Sequence, residues 1–210
     1  MDSLLLSYSL SLLATTLAAV LLAGSPNPFR TPMLWVYLMA VIATSLGGIR
    51  TLPTMEMARI QEGIRAGLAA LLGIQIGIRA ARYNTQRNWD ECKFQLVAVL
   101  VLCGAMGWLS IYLTQPPSAC YRVVGVIDIA AMFVLLTVHE KMAISHPVDR
   151  LVCLGLGTVY GLYGVYRISR QFDEATSQFV GWCGTLSYVV VMLLLAVHVF
   201  HDYFNGHGRN

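Results

Sequence analysis

The sequence predicts an all-α, polytopic integral membrane protein folded as a bundle of seven transmembrane helices. Three observations carry that reading. Hydrophobic residues fill 57% of the 210 positions and charged residues only 12%, about half of the ~25% found in soluble domains. The apolar residues fall in long runs separated by short polar breaks, which suits a bilayer core of roughly 30 Å crossed by about 20 helical residues. Leucine, valine, alanine and glycine dominate those runs, as in helices rather than in the alternating strands of an outer-membrane barrel. Soluble, disordered and disulfide-scaffold classes are thereby excluded.

The first span, 3–23, contains no charge. Met1-Asp2-Ser3 lacks the basic opening of a cleaved signal peptide, so the run is read as a helix that stays. Its hydroxyls (Ser7, Ser9, Ser11, Thr15 and Thr16) can bond to preceding carbonyls and are read as packing. Gly24-Ser25-Pro26-Asn27-Pro28 breaks the helix. Pro32 suits a first helical turn, and 33–49 is the second span. The third, 55–82, has a short uncharged centre from which Arg65 and Arg79 can snorkel to opposite interfaces. The fourth, 94–113, ends at Gln115-Pro116-Pro117. The fifth, 122–138, carries Asp128 inside it, and Pro147 and Asp149 open the sixth, 151–166. The seventh is 179–200, within a single domain at 1–204, and a polar tail at 205–210 closes the chain.

Lysine and arginine set orientation. With the N-terminus outside, inner segments hold Arg30, Arg79, Arg82, Arg87, Lys93, Lys141, Arg150 and Arg209. Outer segments hold Arg50, Arg59, Arg65, Arg122, Arg167 and Arg170. Eight against six favours the inside, with four of the eight in one loop, which gives an N-out, C-in arrangement. Short loops without an N-x-[ST] acceptor point to a bacterial inner membrane as the default. The net charge of +3 is dispersed, leaving no basic stripe for nucleic acid. The lipid bilayer is the first partner. Gly48-Ile49-Arg50 and Gly164-Val165-Tyr166-Arg167 echo each other at span ends, but Gly-Ile-Arg also occurs at 63–65 and 77–79, which favours chance over a repeat.

Asp128 is the sharpest chemical signal. A carboxylate inside a span costs about 2.5–3.5 kcal/mol on insertion scales, so it should face protein or water and have a partner. Arg65 is the expected partner, from a helix running in the same direction at a similar depth. A buried pair fixing helix register and a ligand site are both open. Arg65, Asp128, Tyr163 and Arg167 form the candidate ligand-binding set, a polar vestibule for a small polar or anionic molecule. The glycines 155, 157, 161 and 164 of the sixth span allow close helix approach, within the chain or between two copies in a homo-oligomer.

A second cluster gathers at the inner ends: His139 and Glu140, with His198, His201 and Asp202. Histidine with carboxylate suits a divalent metal, and two histidines from separate helices can ligate haem; capping of helix-end carbonyls is the plainer alternative. The five cysteines have no CxxC spacing. Lys93 and Lys141 lie at helix ends, which excludes a retinal Schiff base inside a span. HExxH, GxSxG and P-loop motifs are absent.

Three groups of residues carry a resemblance. They are Gly77-Ile78-Arg79-Ala80-Ala81-Arg82; Tyr112, Pro116-Pro117 and Arg122; and Tyr160-Gly161-Leu162-Tyr163-Gly164-Val165-Tyr166-Arg167. Over roughly 55–170 the chain resembles the seven-helix membrane sensor regions that precede diguanylate cyclase or histidine kinase domains in bacteria. The resemblance implies a sensor of external or membrane signals. No catalytic domain follows the seventh span, so signalling needs a separate membrane or cytoplasmic partner, or the rest of a longer chain. The functional expectation is a non-enzymatic sensor or accessory subunit. The alternatives are a small-solute transporter or channel using Asp128 and Arg65, and a metal- or haem-binding redox protein using the inner histidines.

Overall fold

Apolar runs build the helices and proline opens several of them. The computed structural model describes residues 3–25, 32–51, 55–83, 117–141, 147–169 and 174–207. Those residues form α1 (Ser3–Ala23), α2 (Pro32–Thr51), α3 (Met55–Tyr83), α4 (Pro117–Lys141), α5 (Pro147–Ser169) and α6 (Glu174–His207), with no strand among them. All six helices are long and apolar enough to cross a bilayer, the makeup of a multi-pass integral membrane protein. The expected span at 94–113 lies outside the described residues.

Local chemistry explains several helix ends. Pro32, Pro117 and Pro147 each occupy the first position of a helix, where the missing N–H has no helical acceptor to lose. The Met33 N–H, one of the orphan donors at the start of α2, donates to Gln75 Oε1 of α3 at 3.0 Å. At the end of α1, Gly24 N–H donates to Val20 O and Ser25 N–H to Leu22 O. The helices overrun several expected boundaries: α4 starts five residues before 122 and α6 continues to His207, inside the stretch read as a tail. Apolarity marks only the hydrocarbon layer, whereas the helix continues beyond it until a breaker intervenes.

Hydroxyls inside the helices satisfy themselves as expected. Ser9 donates to Leu5 O, Thr15 to Ser11 O, Thr44 to Ala40 O and Thr158 to Leu154 O, at 2.6–2.9 Å. Each removes a polar group that lipid would not accept.

The helices follow one another around a closed ring, α1 to α6, with α6 packed back against α1. Each helix touches its two neighbours, and α3 also reaches α5, whereas among the described residues α4 and α6 do not pack against each other. Glycine contacts give the directions. Gly48 near the end of α2 sits on Tyr8 near the start of α1. Gly63 and Gly73 of α3 meet Val124 and then Val134 and Leu135 of α4, so these two helices are parallel. The α5 glycines Gly157, Gly161 and Gly164 meet Leu136, Met132 and Ile129, in reverse order along α4. Gly155 faces Val191 of α6. These glycines bring α5 close to both of its neighbours within the chain.

Polarity is inverted relative to a soluble bundle. Leu13, Val20, Phe133, Phe179 and Val197 lie exposed on the outside, while Ser11, Thr15, Ser45, Asp128, Asp149, Arg167 and Thr185 are buried. Only a hydrocarbon solvent makes that distribution favourable. Between the polar side chains the interior is filled by Leu38, Leu72, Ile76, Leu135, Leu156, Met192 and Leu195.

The close approach of α4 and α5 gives a test. A Cβ at Gly164 would lie 2.6 Å from Ile129 Cδ1 and 3.2 Å from the Gly125 carbonyl. Gly164→Leu is expected to cost about 1–3 kcal/mol through overpacking. Gly67→Ala, where a Cβ meets nothing within 4 Å, should change stability by no more than about 1 kcal/mol. Unfolding of the detergent-solubilised protein by titrated sodium dodecyl sulfate measures both.

Candidate functional site

The upper end of the ring, where α1 begins, collects most of the interior charge. On α4, Gly125 and Asp128 are three residues apart and share one face. On α5, Gly164 and Arg167 repeat that spacing. A Cβ on Gly125 would meet Arg167 Cβ at 3.2 Å and the Gly164 carbonyl at 3.5 Å. Two glycines therefore draw the backbones together one turn from the two charged groups.

Arg167 is almost fully buried and Asp128 completely so. Arg167 Nη1 forms a close ion pair with Asp128 Oδ2. Its Nη2 meets Glu62 Oε2 of α3 at 2.9 Å. One guanidinium thus joins two carboxylates from two other helices, and its Cζ lies 5.4 Å from the centroid of the Tyr163 ring. Asp128 Oδ1 and Arg167 Nε have no hydrogen-bond partner among the described residues. In a low-dielectric interior such atoms are costly to leave unmatched.

Arg65 lies one turn beyond Glu62 on α3 but turns to α2. Its Nε donates to Thr44 Oγ1 at 2.6 Å, and its Nη2 to Ser45 Oγ at 3.1 Å and Val41 O at 3.4 Å. The Cζ stands 5.8 Å from the Tyr8 ring centroid. Gly48 makes room for that ring, since a Cβ there would fall 2.7 Å from Tyr8 Cδ2. Among the described residues no carboxylate lies within ion-pair distance of Arg65.

A band of hydroxyls lies below the charges. Tyr163 Oη is 3.2 Å from Thr185 Oγ1, which is 3.2 Å from Ser7 Oγ. Farther down, Thr15 Oγ1 is 2.7 Å from Tyr188 Oη, and Tyr37 Oη is 3.0 Å from Tyr160 Oη across the ring. At the lower end Arg79 of α3 forms a close ion pair with Asp149 in the first turn of α5. Charged bridges therefore join α3 to α5 at both ends.

Of the sequence-derived ligand set, the structure joins Asp128, Arg167 and Tyr163 directly. Arg65 shares their end of the bundle but not their contacts. The expected Asp128–Arg65 pair is replaced by Asp128–Arg167, because Gly125 and Gly164 bring α5 against that face of α4 while Arg65 points to α2. Arg65 and Arg79 both find protein acceptors, Arg65 on α2 and Arg79 on α5. Sequence reasoning missed Glu62, although its position three residues before Arg65 placed it on the same helical face. Tyr8 and the Arg79–Asp149 bridge were missed as well.

The histidines of the expected second cluster are distributed over two helices. His139 and Glu140 lie near the end of α4, and His198 and His201 on α6, with α5 between the two helices. The side chain of Asp202 lies outside the described residues. No group of three or more His, Cys, Asp or Glu side chains suited to a metal ion occurs among the described residues. No family model, curated protein or solved structure matches the chain.

A double-mutant cycle tests the rearranged pairing. Removing either Asp128 or Arg167 alone should cost about 3–5 kcal/mol, the penalty for stranding a buried charge. The Asp128→Asn and Arg167→Met changes should couple by about 0.5–3 kcal/mol. Asp128→Asn and Arg65→Met should be additive to within about 0.5 kcal/mol. The same detergent unfolding measurement reads each corner of the cycle.

Proposed function

We propose that the chain is a non-enzymatic, multi-pass membrane sensor or accessory subunit that binds a small polar ligand among Arg65, Asp128, Tyr163 and Arg167. The observation that carries this reading is the incomplete pairing of a buried charge cluster. Among the described residues Asp128 Oδ1 and Arg167 Nε are unmatched, and Arg65 is held by hydroxyls, a carbonyl and a ring face. A cluster serving only to fix helix register would be expected to satisfy its own polar atoms.

In this reading the cluster faces the outside and the chain crosses seven times, N-out and C-in, in a bacterial inner membrane. The parallel course of α3 and α4 supports a crossing between them, for which the apolar run at 94–113 is suited. The distribution of lysine and arginine supports the orientation. Glu62 and Arg167 give the ligand a handle on α3 and α5, the two helices also bridged by Arg79 and Asp149. Changed pairing above can therefore shift those helices against each other below, where a membrane or cytoplasmic partner would respond.

Thermal unfolding of the purified full chain against a panel of small polar molecules tests the proposal. A ligand at 100 times its Kd stabilises by about 2.7 kcal/mol, a rise of several degrees in Tm. That rise should be lost in Arg65→Ala. A panel without a single hit, or hits indifferent to all four residues, defeats the reading.

One observation favours transport as a second reading: hydroxyls from Tyr163, Thr185, Tyr188, Thr15, Tyr37 and Tyr160 continue the polar interior toward Arg79 and Asp149. Transport predicts solute flux into proteoliposomes that falls at least about tenfold in Asp128→Asn, the loss of about 1.4 kcal/mol of differential binding. Flux equal to that of empty vesicles excludes it.

A further inference from the structure

Glu62 and Arg65 stand one turn apart on α3, at a spacing where opposite charges ordinarily pair with each other. Here they part. Glu62 turns to Arg167 of α5 and Arg65 to Thr44 and Ser45 of α2. The split divides the site by charge. Two carboxylates on one guanidinium leave the Glu62–Arg167–Asp128 group with a formal charge of −1 when all are ionised. Arg65, whose partners among the described residues are neutral, retains +1.

We propose that this divided site binds a zwitterion, an ammonium compound that also carries a carboxylate, such as an amino acid. The proposal rests on the ligand-binding reading above and names the class of ligand. The carboxylate meets Arg65 at Nη1, since Nε and Nη2 already donate to Thr44, Ser45 and Val41 of α2. The ammonium meets Glu62, whose side chain is 29% exposed and is the accessible edge of the negative group. Asp128 Oδ1, buried behind it without a hydrogen-bond partner, adds to the negative potential that an ammonium compensates.

The aromatic surroundings fit the same occupant. Tyr8 lies against Arg65 and Tyr163 against Arg167, so each half of the divided site has a ring beside its guanidinium. The Tyr8 hydroxyl is buried and has no hydrogen-bond partner among the described residues, so it is available to a ligand group, while the ring face is suited to a cation. A single-charge ligand would neutralise one half of the site and leave the other uncompensated in a medium where that is expensive. A zwitterion neutralises both without changing the net charge buried.

Five probes test this with the full chain in mild detergent at fixed ionic strength: L-alanine, β-alanine, γ-aminobutyrate, propionate and propylamine. The first three carry both charges at increasing separation, and the last two carry one each. At least one zwitterion should raise Tm by several degrees while propionate and propylamine do not. Arg65→Ala and Glu62→Gln should each weaken that zwitterion's apparent Kd about tenfold or more, the worth of one charged hydrogen bond. The wild-type comparison stands by itself if a variant does not fold. If propionate matches the best zwitterion, the ligand class is overturned and the ligand-binding reading survives. The same holds if only an uncharged member of the wider panel binds. If nothing binds, both fall together.

Discussion

Sharing Arg167 between Asp128 and Glu62 is the constraint from which the upper half of the structure follows. A guanidinium inside a membrane bundle must find anions, and these two come from different helices. The arrangement holds α3, α4 and α5 within side-chain reach at one level. It also explains the glycines. Gly125 and Gly164 remove the side chains that would separate α4 from α5, so the arginine and aspartate meet without long, mobile linkers. Packing and electrostatics thus impose the same geometry.

That geometry leaves α3 in an unusual position. It packs continuously against α2 and α4, yet its charged residues at both ends reach for α5. The two bridges differ in character. Arg79–Asp149 is a simple pair at a helix start, where the carboxylate also complements the dipole of α5. The upper bridge is a three-residue group with spare acceptor and donor atoms. Both bridges join the same two helices, α3 and α5, at opposite ends of the bundle. The tyrosine hydroxyls between them hydrogen-bond across helices rather than to lipid, keeping the middle of the bundle both polar and closely packed.

The outer surface follows from the same solvent argument. Lipid tails reward apolar side chains outside and give helices little hydrophobic reason to associate, so small residues and buried polar contacts must provide adhesion. The α5 glycines meet that need within one chain by admitting Leu136, Met132 and Ile129 on one side and Val191 on the other. Spacing alone could not distinguish this from contact between copies, because both use close backbone approach.

Helices were legible in the sequence because membrane insertion writes a simple rule: long apolar runs, proline at starts, and polar breaks. Asp128 was recognisable as a buried carboxylate for the same reason, as its cost in lipid demands an inward position. Length was less legible, since α4, α5 and α6 extend beyond the hydrocarbon-sized window into residues that apolarity does not mark. The partners of the charges were hidden. Depth pointed to Arg65 as the partner of Asp128, whereas the structure pairs it with Arg167, a choice set by how each helix is rotated about its axis. The sequence by itself determined which segments must be helical and which groups must avoid lipid, because those depend on transfer from water to hydrocarbon. Tertiary structure alone decided that Asp128 meets Arg167 and that Glu62 parts from Arg65, because those choices depend on which neighbouring helix the glycines allow to come close.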